Sequence, residues 1–221
     1  MTKLVHKKSG MTYIEGIPTR CIGQAYYLND YGGLPSIFDF KDSIVMDCGG
    51  NIGSFAKRAL EDGASVVVSY EPHPALAEVC EINAPGAEVT PAAVGVSAGS
   101  FPFWWRLDTI DGSTLVKPSR NLKSWNEIEV EVLDFWKELD KLQPTIVKMD
   151  IEGPEWDILR AGVMPDCVKY LTVEFHKIGP KGLGTYDEAY DIIDRTFPDS
   201  NIVMDKQIRG AGLLCITNAR L

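Results

Sequence analysis

The sequence has no Cys-x-x-Cys pair, no dense run of lysine and arginine, and no apolar stretch of bilayer-spanning length. The first absence argues against a zinc site or a dithiol redox centre. Cys21, Cys48, Cys80, Cys167 and Cys215 are odd in number and scattered, and read as reduced, buried thiols of a cytoplasmic protein. The second absence, with a formal net charge of -9, removes the electrostatic footprint of a nucleic-acid or anionic-membrane binder. The third excludes a transmembrane helix. The segment MTKLVHKKSG also lacks the apolar core of a secretory signal.

What is present suits one α/β domain. The chain has 221 residues, 45% hydrophobic and 24% charged, enough for a sizeable core. Residues 1–42 carry repeated turn signals and read as an N-terminal cap; residues 43–221 form the main unit. Short apolar strands (43–47, 65–71, 87–95, 144–150, 169–176) alternate with helical patterns (53–63, 73–84, 153–162 and 185–197). The β-branched run at 65–71 marks a strand buried on both faces. Thr185 and Glu188 form a capping box. Residues 96–133 break the rhythm with extra strands around a long loop, and NIVMD and GLLCIT are expected to pair antiparallel. The pattern predicts a doubly wound, mostly parallel sheet with helices on both faces. Its ligands should sit beyond the carboxyl ends of the strands.

Unusual residues gather at those ends. The turn after the first core strand reads Asp47, Cys48, Gly49, Gly50, Asn51, Ile52, Gly53. Asn51 stands where a dinucleotide fingerprint needs its second glycine, and no GK[ST] follows, so NAD, FAD and nucleoside triphosphates fit poorly. A carboxylate just ahead of the turn repels phosphate and suits a ligand bearing an ammonium group, such as S-adenosylmethionine. Glu71 ends the second strand, where a carboxylate can accept both ribose hydroxyls. Capping and salt bridging at strand ends are the structural reading of the same residues. Ala93, in the third strand segment, completes the expected cofactor set of Asp47, Gly49, Gly50, Asn51, Gly53, Glu71 and Asp150.

Two further stretches, VKMDIEGPEWDILRAG and LTVEFH, carry acidic groups at the ends of the fourth and fifth strands. Together with VMDCGGNIG they resemble the FkbM family of S-adenosylmethionine-dependent methyltransferases over roughly residues 43–177. That family shows D-x-G-A-N-x-G, then D-x-E-G-x-E, then a strand ending in glutamate with a histidine close by. The matching positions are Asp47, Gly49, Asn51 and Gly53; Asp150, Glu152, Gly153 and Glu155; and Glu174 with His176. Gly50 and Pro154 depart from the usual alanines. The resemblance implies a class I methyltransferase fold, Rossmann-like with seven strands, and methyl transfer to a hydroxyl on a sugar or natural-product scaffold.

Hydroxyl methylation needs alignment and then removal of a proton. Asp150, Glu174 and His176 are the candidate catalytic residues, with His176 as base because its unperturbed pKa lies near 6.5. A histidine satisfied at a strand end is the plainer reading. Asp150, Glu174 and His176, with Glu152, could also hold Mg²⁺ or another divalent cation. Glu155 reads as a helix-dipole partner in a first turn, and Glu152 equally well as that or as a ligand. Trp104, Trp105 and Trp125 offer aromatic faces for sugar stacking or for the core, one of the adjacent pair Trp104 and Trp105 facing in. Ser113 and Thr114 lie in a loop placed to cover a substrate, and Tyr26, Tyr27 and Tyr31 in the cap could close over the cofactor. Two other functions stay open, an RNA methyltransferase and a non-catalytic nucleoside-binding domain; no membrane partner is expected.

Overall fold

The computed structural model describes residues 1–7, 9–16, 38–106, 113–119, 121–177, 182–208 and 211–218. Tyr26, Tyr27, Tyr31 and Cys21 lie outside them.

Seven strands form the central sheet: β3 (Ile44–Cys48), β4 (Val66–Tyr70), β5 (Glu88–Thr90), β9 (Ile146–Met149), β10 (Tyr170–His176), β11 (Ser200–Ile208) and β12 (Ala211–Asn218). Their spatial order is β11-β12-β10-β9-β3-β4-β5. Pairing is parallel from β5 to β10, while β12 runs antiparallel to both β10 and β11. The chain thus steps outward from β3 to β5, then returns to lay β9 on the other side of β3. The crevice between β3 and β9 is the topological switch point, where such sheets hold ligands.

The helices are α1 (Ser54–Glu61), α2 (Pro74–Asn83), α3 (Phe135–Leu142), α4 (Glu155–Arg160) and α5 (Tyr186–Thr196). Local chemistry sets their starts. Pro74 opens α2, where its missing N–H costs nothing. The Asp134 carboxylate accepts from Trp136 N and Lys137 N to cap α3, and Thr185 Oγ1 accepts from Glu188 N to cap α5.

One core lies on the α3, α4 and α5 side, around Trp156, Phe135, Phe175, Met46 and Met149. Another packs Phe38, Phe40, Phe55 and Val67 around α1. Both use the continuous apolar strands the sequence shows, because each strand is covered on two faces.

The insertion is a separate three-stranded sheet, β6 (Ala93–Gly95), β7 (Gly99–Trp105) and β8 (Asn126–Asp134), in the order β6-β8-β7. The single strand expected over 87–95 is therefore two. It breaks at Pro91 and Ala92, and β6 leaves the central sheet to pair with β8. Ala93 joins an apolar cluster with Phe103, Val130 and Val132.

The N-terminal residues form a hairpin, β1 (Lys3–Val5) with β2 (Thr12–Ile14). Met11 and Ile14 bury against Ile52, Leu76 and Val79, each full burial contributing about 1.5–3 kcal/mol. Asn83 fixes the hairpin. Its amide nitrogen donates to Thr12 O and Ile52 O, and its oxygen accepts from Thr12 N. The cap is thereby hydrogen-bonded through one side chain to the glycine turn.

Candidate active site

The glycine turn runs from the end of β3 into α1. Gly49 N and Gly50 N both donate to Tyr70 O at 3.0 Å, and Gly53 N closes on Gly50 O at 2.8 Å. Asn51 takes the left-handed region at φ 49°, which asparagine tolerates better than most residues. Its side chain accepts from Ile52 N at 2.7 Å. A Cβ on Gly49, itself at φ 85°, would stand 2.0 Å from Asp150 O, so the turn lies in direct contact with the end of β9.

Gly50 has a specific cause. A Cβ there would approach Ser69 Oγ to 2.1 Å, and Ser69 Oγ is committed to Asp47 Oδ2 at 2.9 Å. Gly50→Ala is expected to cost about 1–3 kcal/mol by overpacking. The Gly50→Ala/Ser69→Ala pair should recover most of that loss, as a double-mutant cycle by denaturant unfolding would show.

Glu71 is 5% exposed. Its two oxygens accept from Asn51 N and His73 N, each at 2.8 Å. Burial pushes its carboxyl up to about 7, against the pull of those two amides. The residue expected at the ribose therefore also ties β4 to the glycine turn, and each oxygen keeps a second lone pair for a ligand.

Asp47 stands elsewhere than expected. It is fully buried, its Oδ1 lies 3.2 Å from Lys148 Nζ and its Oδ2 accepts from Ser69. Its charge already faces an ammonium group, that of Lys148. Lys148 is itself 3% exposed and also donates to Gly49 O at 2.5 Å and Cys48 O at 3.3 Å. Burial acts to lower its pKa, yet Asp47 and Asp150 more than offset it and the net shift is upward.

Across the switch point the acidic residues converge on one imidazole. His176 Nε2 lies 3.2 Å from Glu152, 3.6 Å from Glu174 and 3.7 Å from Asp150, while Nδ1 lies 3.2 Å from Glu155. Glu174 and His176 share one face of β10 because they are two residues apart. Asp150 follows β9, and Glu152 is turned inward by a left-handed backbone at φ 61°. Burial acts to lower the His176 pKa, but the Glu155 hydrogen bond and the Glu152, Glu155 and Asp150 charges carry it up to about 10. Burial pushes Glu152 up to about 8. Asp150, Glu174 and His176 present ligand atoms within 4.8 Å of one another.

Glu155 is the residue the sequence reading undervalued. It stands in the first turn of α4 as expected, and it is also fully buried. Oε1 accepts from His176 N and Oε2 from Gly153 N, both at 2.6 Å. It locks the turn before α4 to the end of β10. The Glu-Gly-x-Glu spacing carries the signal: the later glutamate can fold back onto the glycine amide two residues earlier. Trp156 Nε1 donates to His176 O at 2.7 Å, adding a second lock.

The insertion reaches this site. Thr114 Oγ1 donates to Glu152 O at 2.6 Å, and Lys177 Nζ donates to Thr114 Oγ1 at 3.4 Å. The tryptophans are engaged within the fold. Trp104 is buried and donates to Glu127, half-buried Trp105 meets His73 edge-on at 4.7 Å, and Arg106 lies over Trp125.

The family model for the FkbM methyltransferase domain matches residues 47–198. The chain belongs to this family, and its class is that of S-adenosylmethionine-dependent methyltransferases. Among solved structures, the proposed methyltransferase yhhF from Escherichia coli superposes with a TM-score of 0.50 at 10% identity, covering 98% of each chain. The magnesium protoporphyrin IX methyltransferase of Synechocystis PCC 6803, with bound SAM, gives 0.47 at 10% identity over 90% of this chain and 79% of that one. At 10% identity the likeness to the Escherichia coli protein is one of fold. No curated protein matches.

Proposed function

We propose that the protein methylates a hydroxyl of a sugar or small natural product, with the acceptor bound at the carboxylate cluster. The supporting observation is the placement of Asp150, Glu152 and Glu174 around His176, directly across the switch point from the glycine turn. Asp150 and Glu174 are partly exposed and can accept hydrogen bonds from acceptor hydroxyls; one of them would take the hydroxyl proton as the C–O bond forms and the sulfonium S–CH3 bond breaks, leaving S-adenosylhomocysteine. His176, charged in this arrangement, serves as a clamp for these carboxylates, which revises the base role its ordinary pKa suggests.

The donor set of two carboxylates and an imidazole also fits a divalent cation at Asp150, Glu174 and His176, which would take the place of the imidazole proton in neutralising the carboxylates. Such an ion would acidify a bound hydroxyl. The net charge of -9 speaks against an RNA acceptor. The free thiols Cys48, Cys80, Cys167 and Cys215 support a reducing, cytoplasmic setting, and no described helix is long and apolar enough to cross a membrane.

The test is release of S-adenosylhomocysteine on a panel of glycans and hydroxylated natural products, after EDTA treatment and with Mg²⁺ restored. The expected result is acceptor-dependent turnover that EDTA lowers at least 10-fold and Mg²⁺ rescues. Turnover indifferent to EDTA would remove the cation and leave the carboxylates alone with the task. Cofactor binding without turnover on any hydroxyl would sink the reading.

A further inference from the structure

Lys148 lies in the middle of a strand covered on both faces, where a charge is costly unless paired. Parallel register sets it beside Asp47 on β3, and Asp47 beside Ser69 on β4. Its ammonium group has three partners: the Asp47 carboxylate, Gly49 O and Cys48 O. Cys48 O also accepts from Asp150 N at 3.1 Å. One buried cation thus touches the first carbonyls of the glycine turn and stands two residues from Asp150 at the proposed acceptor side. Apolar side chains at both 47 and 148 would satisfy the sheet at lower desolvation cost, so pairing with Asp47 alone does not account for the lysine.

We infer that Lys148 is a positioning residue for methyl transfer, holding the Cys48–Gly49 carbonyls so that the cofactor turn keeps its place against Asp150. The inference rests on the S-adenosylmethionine-dependent class and extends it. Displacement of such a turn by about 1 Å is enough to cost two orders of magnitude in rate. Asp47 then acts as the counter-charge that makes a buried lysine tolerable, and the cofactor's own ammonium group is left to other acceptors.

The experiment separates positioning from folding. Calorimetric titration with S-adenosylhomocysteine and thermal melting are run on wild type, Asp47→Asn, Lys148→Met and the double variant Asp47→Asn/Lys148→Met. Lys148→Met alone strands the Asp47 charge and should melt well below wild type. The double variant removes both charges and should regain most of the melting temperature, yet bind at least 10-fold more weakly than wild type. Asp47→Asn should bind within about 3-fold of wild type, since Lys148 still holds both carbonyls. A double variant that melts like wild type and binds like wild type overturns the inference. So does a double variant that fails to fold, because the lysine would then belong to the fold alone. Failure of wild type to bind the ligand would instead strike the class reading itself.

Discussion

Glu155→Ala is expected to lower the melting temperature by roughly 10 °C and to abolish acceptor turnover. The side chain is fully buried and satisfies Gly153 N, His176 N and the imidazole Nδ1. Removing one partner of a buried ionic network costs about 3–5 kcal/mol, and each kcal/mol is worth about 2–4 °C in a domain of this size. Glu155→Gln keeps an oxygen for one amide and should fall between the two. The measurement is differential scanning calorimetry beside a turnover assay. An alanine variant melting within about 2 °C of wild type would show that the turn before α4 holds without this carboxylate.

Glu71→Gln is expected to weaken S-adenosylhomocysteine binding by roughly 10- to 100-fold, the range of charged hydrogen bonds worth about 1.5–3 kcal/mol. The wild-type affinity should also depend on pH. Burial raises the Glu71 carboxyl from 4.5 to about 7, and the ribose hydroxyls donate best to its ionised form. Binding should therefore tighten several-fold between pH 6 and 8, and the glutamine variant should lose that slope. Stability runs the other way. The unfolded chain releases this proton near 4.5 and the folded chain near 7, so the group's contribution is full below the lower value and is lost as pH rises through the upper one. Affinity that stays flat with pH in wild type would place Glu71 outside the ribose contact.

Much of this arrangement is readable from residue order alone. Strand and helix alternation predicts the parallel sheet, and two-residue spacing predicts that Glu174 and His176 share a face. The position of Asp150 at a strand end predicts that it joins them. The antiparallel pairing of β11 with β12 and the Thr185 cap follow from local chemistry.

What is not readable depends on register and on turns. The role of Lys148 needs the alignment of β9 with β3, which places it beside Asp47. A lysine inside the apolar run TIVKMD is nonetheless a sign that a buried counter-charge exists. The inward aim of Glu152 and the buried seat of Glu155 arise from left-handed and glycine conformations between β9 and α4, where neither helical nor strand periodicity applies. The break of the third strand depends on pairing with β8, nearly forty residues away along the chain.

The strand order also has a consequence for how the site comes into being. The strands bearing the cofactor side, β3, β4 and β5, are consecutive in the chain and neighbours in space. They can associate through short crossovers at low cost in loop-closure entropy. The acceptor side cannot: Lys148 and Cys48 are 100 residues apart in sequence, and β10 receives its second neighbour only from β12. Non-local pairing of this kind is slow. A refolding chain should therefore form the β3–β4–β5 unit before it regains tight nucleoside binding, and the interval between the two would time the insertion of β9, with Lys148, beside β3.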